Sequence, residues 1–494
     1  MMKKLISFLL ALTIIAGAAL PCFAAGAEPA APAKSETVSD LPFVLIRGMN
    51  FDGLTYKKGT SEEQNTFAGV DAGELIGVIF KAIGSGLIHF SWEAFGEVVC
   101  DYCNKIMGHM ACDENGNSKY DVTTDNYEKA VANYPELLDT SSADEMGILK
   151  RAIEIYGAEN VYYYNYDWRL DPLMHADKIN ALVNTALADS GKDKVNLVCC
   201  SMGGIETVSY LYKYGHDKIN RLVFLSSTVS GTHVTTDLLS GHVTVTAKWL
   251  WIYLKQLIGK DNKALGLLVD GLYKIKLIDG LCNFVNNKFV PNLINTVYDS
   301  FLRDTFGTMP SVWALVLPEG YNECIKYMFS GKEDKYAGLI AKTKEYQKVA
   351  AKRESLLKAA AEDGVSLCFI AGYNSSCIPV YTGGGCNGDS ILEADRMLCV
   401  AKVADVGSDL GKDYKAANPE LLSPDRVVDL SGVLFPDTTW AVNGARHVGC
   451  DYGSQMSDFL FTVVNHKGDV TVKTFKQYPR FMISDTGTDI RLPG

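Results

Sequence analysis

The chain predicts an α/β fold: a mostly parallel central sheet with helices on both faces and a helical cap inserted into it. Short apolar runs at 160–166, 195–200 and 221–226 alternate with helical patterns at 172–186 and 205–214, the rhythm of parallel β-α-β units. The rhythm stops between 231 and about 361, where the pattern is helical and too long for a loop. Sheet-like runs then return at 365–371 and 438–442.

The 494 residues are 47% hydrophobic and 21% charged, ample for a large core. Residues 1–24 carry Lys3 and Lys4, an apolar run over 5–20 and a small-residue end at Ala24, which reads as a secretory signal peptide cut near Ala24 and an extracytoplasmic destination. The run is short for a membrane span, and Pro21 argues against a lipid anchor at Cys22. Residues 25–40, rich in Ala, Pro and Glu, read as a disordered leader. The core then spans 41–230, with an insertion at about 51–140, and resumes over 362–494 on either side of the cap at 231–361. A net charge of −11 disfavours nucleic acid as a partner and adsorption to anionic lipid by charge alone.

Residues 41–46 form the first expected strand, ending in Arg47-Gly48-Met49-Asn50. In the insertion, Asp113 to Asn117 is read as an Asn-Gly turn rather than a calcium loop, because the final acid is misplaced. Cys100, Cys103, His109 and Cys112 match no standard zinc spacing, so neither metal nor cofactor is expected. Cys377 and Cys386, in one Gly-rich loop, are the best candidates for a disulfide in an exported chain.

The strand at 195–200 runs into Ser201-Met202-Gly203-Gly204 before a helical pattern begins. A serine at such a turn is lifted above the sheet in a strained conformation, the nucleophile elbow of α/β-hydrolases. Cys199 stands where that G-x-S-x-G pattern has its first glycine. A nucleophilic serine needs a base and an acid to orient it, and in that fold they follow in the order Ser, acid, His. Only His447 and His466 of eight histidines follow the returning strand; His447 succeeds a short strand, whereas His466 sits in an Asn-His-Lys-Gly turn. For the acid, Asp389 lies among small residues, while Asp395, Asp405 and Asp409 fall in segments that look helical. Gly48 and Met49 stand where an early strand supplies a backbone N–H to an oxyanion hole.

Tyr166-Asp167-Trp168-Arg169, the elbow Cys200-Ser201-Met202-Gly203-Gly204, and Leu434 to Trp440 leading to His447 resemble the lecithin:cholesterol acyltransferase family of α/β-hydrolases, in a bacterial-type secreted form. The resemblance runs in patches from about Pro42 to Cys450. It implies Ser201 as nucleophile, Asp389 as acid, His447 as base, the amides of Met49 and Met202 as oxyanion hole, and a lipid-like ester as acyl donor. Asp167, Trp168 and Arg169 are read as bracing the site. The function expected is a serine lipid esterase or O-acyltransferase; the alternative is an inactive member of the fold that binds a lipid or glycan in the cap cleft. Trp249 to Leu254 is the stretch expected either to touch a lipid interface transiently or to fill the cap core.

Overall fold

The computed structural model describes residues 39–67, 91–259, 263–380 and 387–493, with Val78, Lys81, Ala82 and Ser85. The expected signal peptide, most of the expected leader and Cys386 lie outside the described residues.

Seven strands form one sheet: β1 (Phe43–Ile46), β2 (Val161–Tyr164), β3 (Val195–Cys200), β4 (Ile219–Leu225), β5 (Ser366–Tyr373), β6 (Thr439–Asn443) and β7 (Phe481–Ile483). Their order is β7-β6-β5-β4-β3-β1-β2, and every neighbouring pair is parallel. Parallel strands need helical crossovers, which cover both faces and explain why β1, β2 and β3 are buried throughout. β7 is not among the strands the sequence predicts, because three residues, Phe481-Met482-Ile483, are too short a run to show a strand period.

Alternation along β1 assigns the faces. Phe43 and Leu45 pack with Ile148, Leu149 and Ala152 of α2 (Asp144–Tyr156) and with Phe459 and Leu460 of α12 (Gln455–Asn465). Val44 and Ile46 point the other way, into a core shared with α1 (Trp92–Met107), α3 (Pro172–Ser190), α4 (Gly203–Tyr214) and α11 (Ala337–Glu362). Of the helical pattern that the sequence shows around 72–110, α1 accounts for Trp92–Met107, and most residues from 72 to 90 lie outside the described residues. Ser39 and Asp40, expected in the leader, are tied to the fold: Asn196 Nδ2 donates to Ser39 Oγ at 3.0 Å and Lys192 pairs with Asp40 at 2.6 Å.

Between β4 and β5 lie the cap helices α5 (His233–Ser240), α6 (Ala247–Gly259), α7 (Lys263–Lys274), α8 (Leu277–Phe284), α9 (Val290–Val297) and α10 (Tyr321–Phe329), followed by α11. The aromatic stretch belongs to α6. Leu250 and Tyr253 are buried, Trp251 stacks on Tyr273 at 4.5 Å and donates to Asp270 Oδ1, and Trp249 and Ile252 pack on Val406. The stretch therefore fills the cap, and its outer apolar face belongs to α7, where Leu267 is 72% exposed and Leu268 56%. Ile275, just beyond α7, is 70% exposed. Gln256 docks α6 onto the loop after β5, accepting from Ser376 N at 2.7 Å. No described helix is long and apolar enough to cross a membrane.

Candidate active site

Ser201 occupies the turn between β3 and α4 with φ of +52°, a region that a non-glycine residue enters only when its surroundings hold it there. The surroundings are tight. A Cβ on Gly203 would lie 2.8 Å from the carbonyl oxygens of Ile46 and Arg47, and one on Gly204 would lie 2.5 Å from Thr228 O. Only glycine lets β3 and α4 come this close to the β1 and β4 turns. Cys199, standing in for the usual glycine, is fully buried and its thiol donates to Val223 O, so a small side chain is accommodated there. Burial pushes that thiol up to about 12, which leaves it protonated.

Two residues after β4 anchor this turn from below. Ser227 Oγ donates to Ser201 O at 2.6 Å, and Ser226 Oγ accepts from Val448 N at 3.1 Å, tying the serine turn and the histidine loop to one strand end. Sequence reading missed both, since serines after a strand carry no distinguishing pattern. Backbone strain clusters here: Ser226, Ser390 and Val448 also have φ of +44°, +88° and +45°.

Gly48 presses on the serine from the end of β1. A Cβ there would sit 2.6 Å from Ser201 Cβ and 3.2 Å from its Oγ. The β1 turn carrying Gly48 and Met49 is held by its neighbours: Tyr166 Oη donates to Arg47 O at 3.1 Å and Trp168 Nε1 donates to Asn50 O at 2.9 Å. Arg169 forms a bidentate pair with Asp167 (2.8 and 2.6 Å) and also donates to Met110 O and Ser118 Oγ, fastening the insertion to the same region. Met202, next to Ser201, is buried at the start of α4.

Asp389 lies beyond β5 and is fully buried. Its Oδ1 accepts from the amides of Ile391 (3.1 Å) and Leu392 (2.9 Å), which fixes the carboxylate and leaves Oδ2 facing His447 Nδ1 at 2.7 Å. With Nδ1 so engaged, the Nε2 edge of the imidazole is directed elsewhere. Burial alone lowers the affinity of His447 for a proton, but the carboxylates of Asp389, Glu145 and Asp144 outweigh it, so its pKa lies above the ordinary histidine value. Asp395 sits in a short helix, as expected, and pairs instead with His233 (3.0 Å) and Arg396 (2.8 Å). Asp405 and Asp409, expected in helical segments, lie in turns and loops around the short strand Lys402–Val403.

Ser201, Gly48, Asp389 and His447 thus all follow the carboxyl ends of strands of one sheet, β3 and its neighbour β1, and β5 and its neighbour β6, with β4 between the two pairs, the end at which open parallel sheets present their sites. Sequence reading also missed Glu145, in the first turn of α2, whose Oε1 accepts from Gly48 N at 3.4 Å. Beside it, burial pushes Asp144 up to about 6 despite Arg446, which donates to it at 2.9 Å. In the sequence these two acids read only as an ordinary acidic helix start.

Of the cysteines, 100, 103, 112, 199, 200, 282, 324, 368, 399 and 450 are buried free thiols. His109 stacks on Tyr56 at 4.0 Å, and Asp113 accepts from the amides of Asn115 and Asn117 in a tight turn closed by Gly116 at φ +72°.

No protein-family model and no curated protein matches the chain. Among solved structures it is similar to "The crystal structure of Tle4-Tli4 complex", with 15% identity, a TM-score of 0.19 and coverage of 40% of this chain and 48% of that one. The chain thus spans about half the length of that structure.

Proposed function

We propose that this chain is an exported serine esterase or O-acyltransferase acting on a lipid ester, as its resemblance to the lecithin:cholesterol acyltransferase family implies. The observation that carries the reading is the His447–Asp389 pair at 2.7 Å, presented at the same sheet end as a serine held at φ +52°. His447, oriented by Asp389, takes the proton of Ser201 as its oxygen attacks the ester carbonyl. The tetrahedral oxyanion is received by backbone amides, those of Met49 and Met202. Collapse expels the alcohol, which takes the proton from His447 and leaves an acyl-serine. Water or a second alcohol then repeats the sequence in reverse.

A lipid-like donor is supported by the cap. Leu267, Leu268 and Ile275 face outward, in a segment from Ala247 to Lys288 that carries seven lysines against three aspartates in an otherwise acidic chain. Exposed leucines in a lysine-rich segment suit an anionic lipid surface. A fluorophosphonate should label the mature protein once, at Ser201, and Ser201→Ala should abolish the labelling. No labelling of the wild-type protein would favour the alternative, a fold-mate that binds ligand without turning it over, and labelling that survives Ser201→Ala would overturn Ser201 as the nucleophile.

A further inference from the structure

Beside Ser201 the structure holds a carboxylate that the acyl-transfer scheme does not use. Glu145 Oε1 reaches the Gly48 amide, and the same point in space, a Cβ built on Gly48, is 3.2 Å from both Glu145 Oε1 and Ser201 Oγ. The acid is therefore a neighbour of the reacting oxygen, on the side where the β1 turn faces the serine. Its position is fixed by its element. α2 begins at Asp144, whose amide donates to Asp451 Oδ1 at 3.0 Å and whose carboxylate is paired with Arg446, so the first turn of α2 is pinned to the loop that follows His447.

The charge around the serine is not balanced. Asp144, Glu145, Asp389 and Asp451 contribute four carboxylates. Arg446 serves Asp144 and Asp451, and its two bonds run at 2.9 and 2.5 Å. Asp389 is answered by His447. Arg47 feels the charge of Glu145, and its guanidinium is hydrogen-bonded to Tyr163 Oη at 2.8 Å. The field of Glu145 reaches several groups packed around it: it helps to hold the protonated forms of His447, Tyr163, Tyr166 and Cys450.

We infer that Glu145 is a specificity residue of this site, one that disfavours acyl donors carrying negative charge next to the scissile ester and favours neutral or cationic ones. The inference rests on the proposed Ser201 chemistry and deepens it. Glycerides, sterol esters, sugar esters and esters of amino alcohols suit such a site; an ester flanked closely by a phosphate or a free carboxylate does not. The physical reason is Coulombic: the tetrahedral intermediate already places one negative charge beside Gly48 and Ser201, and a second anion on the substrate would be held against both that charge and Glu145. A role confined to the start of α2 is the bland alternative, since acids are favoured at helix N-termini.

The test uses three esters of one short-chain acid, with phenol, 4-hydroxybenzenesulfonate and 4-(trimethylammonio)phenol as leaving groups. All three give the same acyl-enzyme, so differences in kcat/KM report acylation. Divided by the rates of hydroxide hydrolysis, wild-type values should fall in the order cationic, neutral, anionic. Equal values would overturn the inference without recourse to any variant. In Glu145→Gln the anionic-to-cationic ratio should rise by about tenfold, or ~1.4 kcal/mol, while Glu145→Asp keeps the wild-type order. A Gln variant in which all three rates change by one common factor would assign Glu145 to structure alone. If Ser201→Ala instead retains the wild-type rates, the proposed function itself has failed, and the charge preference belongs to some other site.

Discussion

At the residue scale, Ser201 sits in a turn where Gly48, Gly203 and Gly204 leave no room for a Cβ. Ser201→Ala and His447→Ala should each lower esterase kcat by on the order of 10⁴-fold or more, and the double variant should be little worse than either, because the two act as one unit. Additive losses in single-turnover assays would contradict a shared step. Asp389→Asn should cost about 10⁴-fold by permitting the wrong imidazole tautomer. Asp395→Asn should leave kcat within a few-fold but lower stability by about 1–3 kcal/mol, because His233 and Arg396 lose their shared carboxylate. The pH profile has a definite sign. His447 must be neutral to act as a base and its pKa is raised, so kcat/KM should climb with pH and level off only above the ordinary histidine value near ~6.5. Since Glu145 contributes to that rise, Glu145→Gln should move the acid limb to lower pH.

At the scale of elements, the cap divides its apolar residues between two jobs. The aromatics of α6 pack on α7, α8 and the loop around Val406, and Leu267 and Leu268 of α7 are left outside. Changing Leu267, Leu268 and Ile275 together to serine should therefore reduce activity on a neutral glyceride carried in vesicles that contain anionic phospholipid by about tenfold or more, with a soluble short-chain ester turned over as before and the melting temperature unchanged. Trp251→Ser should behave oppositely, lowering activity on both substrates alongside the melting temperature, because it removes a stacked, hydrogen-bonded ring from the cap interior.

Across the whole molecule, the end of α12 is fastened to the middle of the sheet by a buried cation. Arg221, on β4, donates to the carbonyl oxygens of Val463, Val464, His466 and Gly468, closing the carboxyl end of α12. Those carbonyls are otherwise the orphans of a helix terminus. Arg221→Met keeps the length but strands them, and a loss of about 3 kcal/mol in urea unfolding is expected, with little change in kcat for the protein that remains folded.

What the sequence determined by itself is the local and the periodic. Apolar runs separated by helical patterns gave β1 to β6, because burial on both faces of a parallel sheet demands such runs. The two glycines after Ser201 announced the turn, because no other residue fits between the Ile46 and Thr228 carbonyls. Chain order narrowed the candidates, and the small residues around Asp389 and the short strand before His447 singled out these two, which are hydrogen-bonded. Other features depend on residues far apart in the chain and became legible only in the tertiary structure. The three residues of β7 become a strand because β6 offers an edge. Trp249 to Leu254 are directed inward because α7 and the Val406 loop cover them, a matter of which neighbours arrive rather than of hydropathy. Glu145 lies 56 positions from Ser201 and reads as a common helix-start acid until β1 and α2 are packed side by side. Proximity of that kind is decided by how elements stack, and no local pattern encodes it.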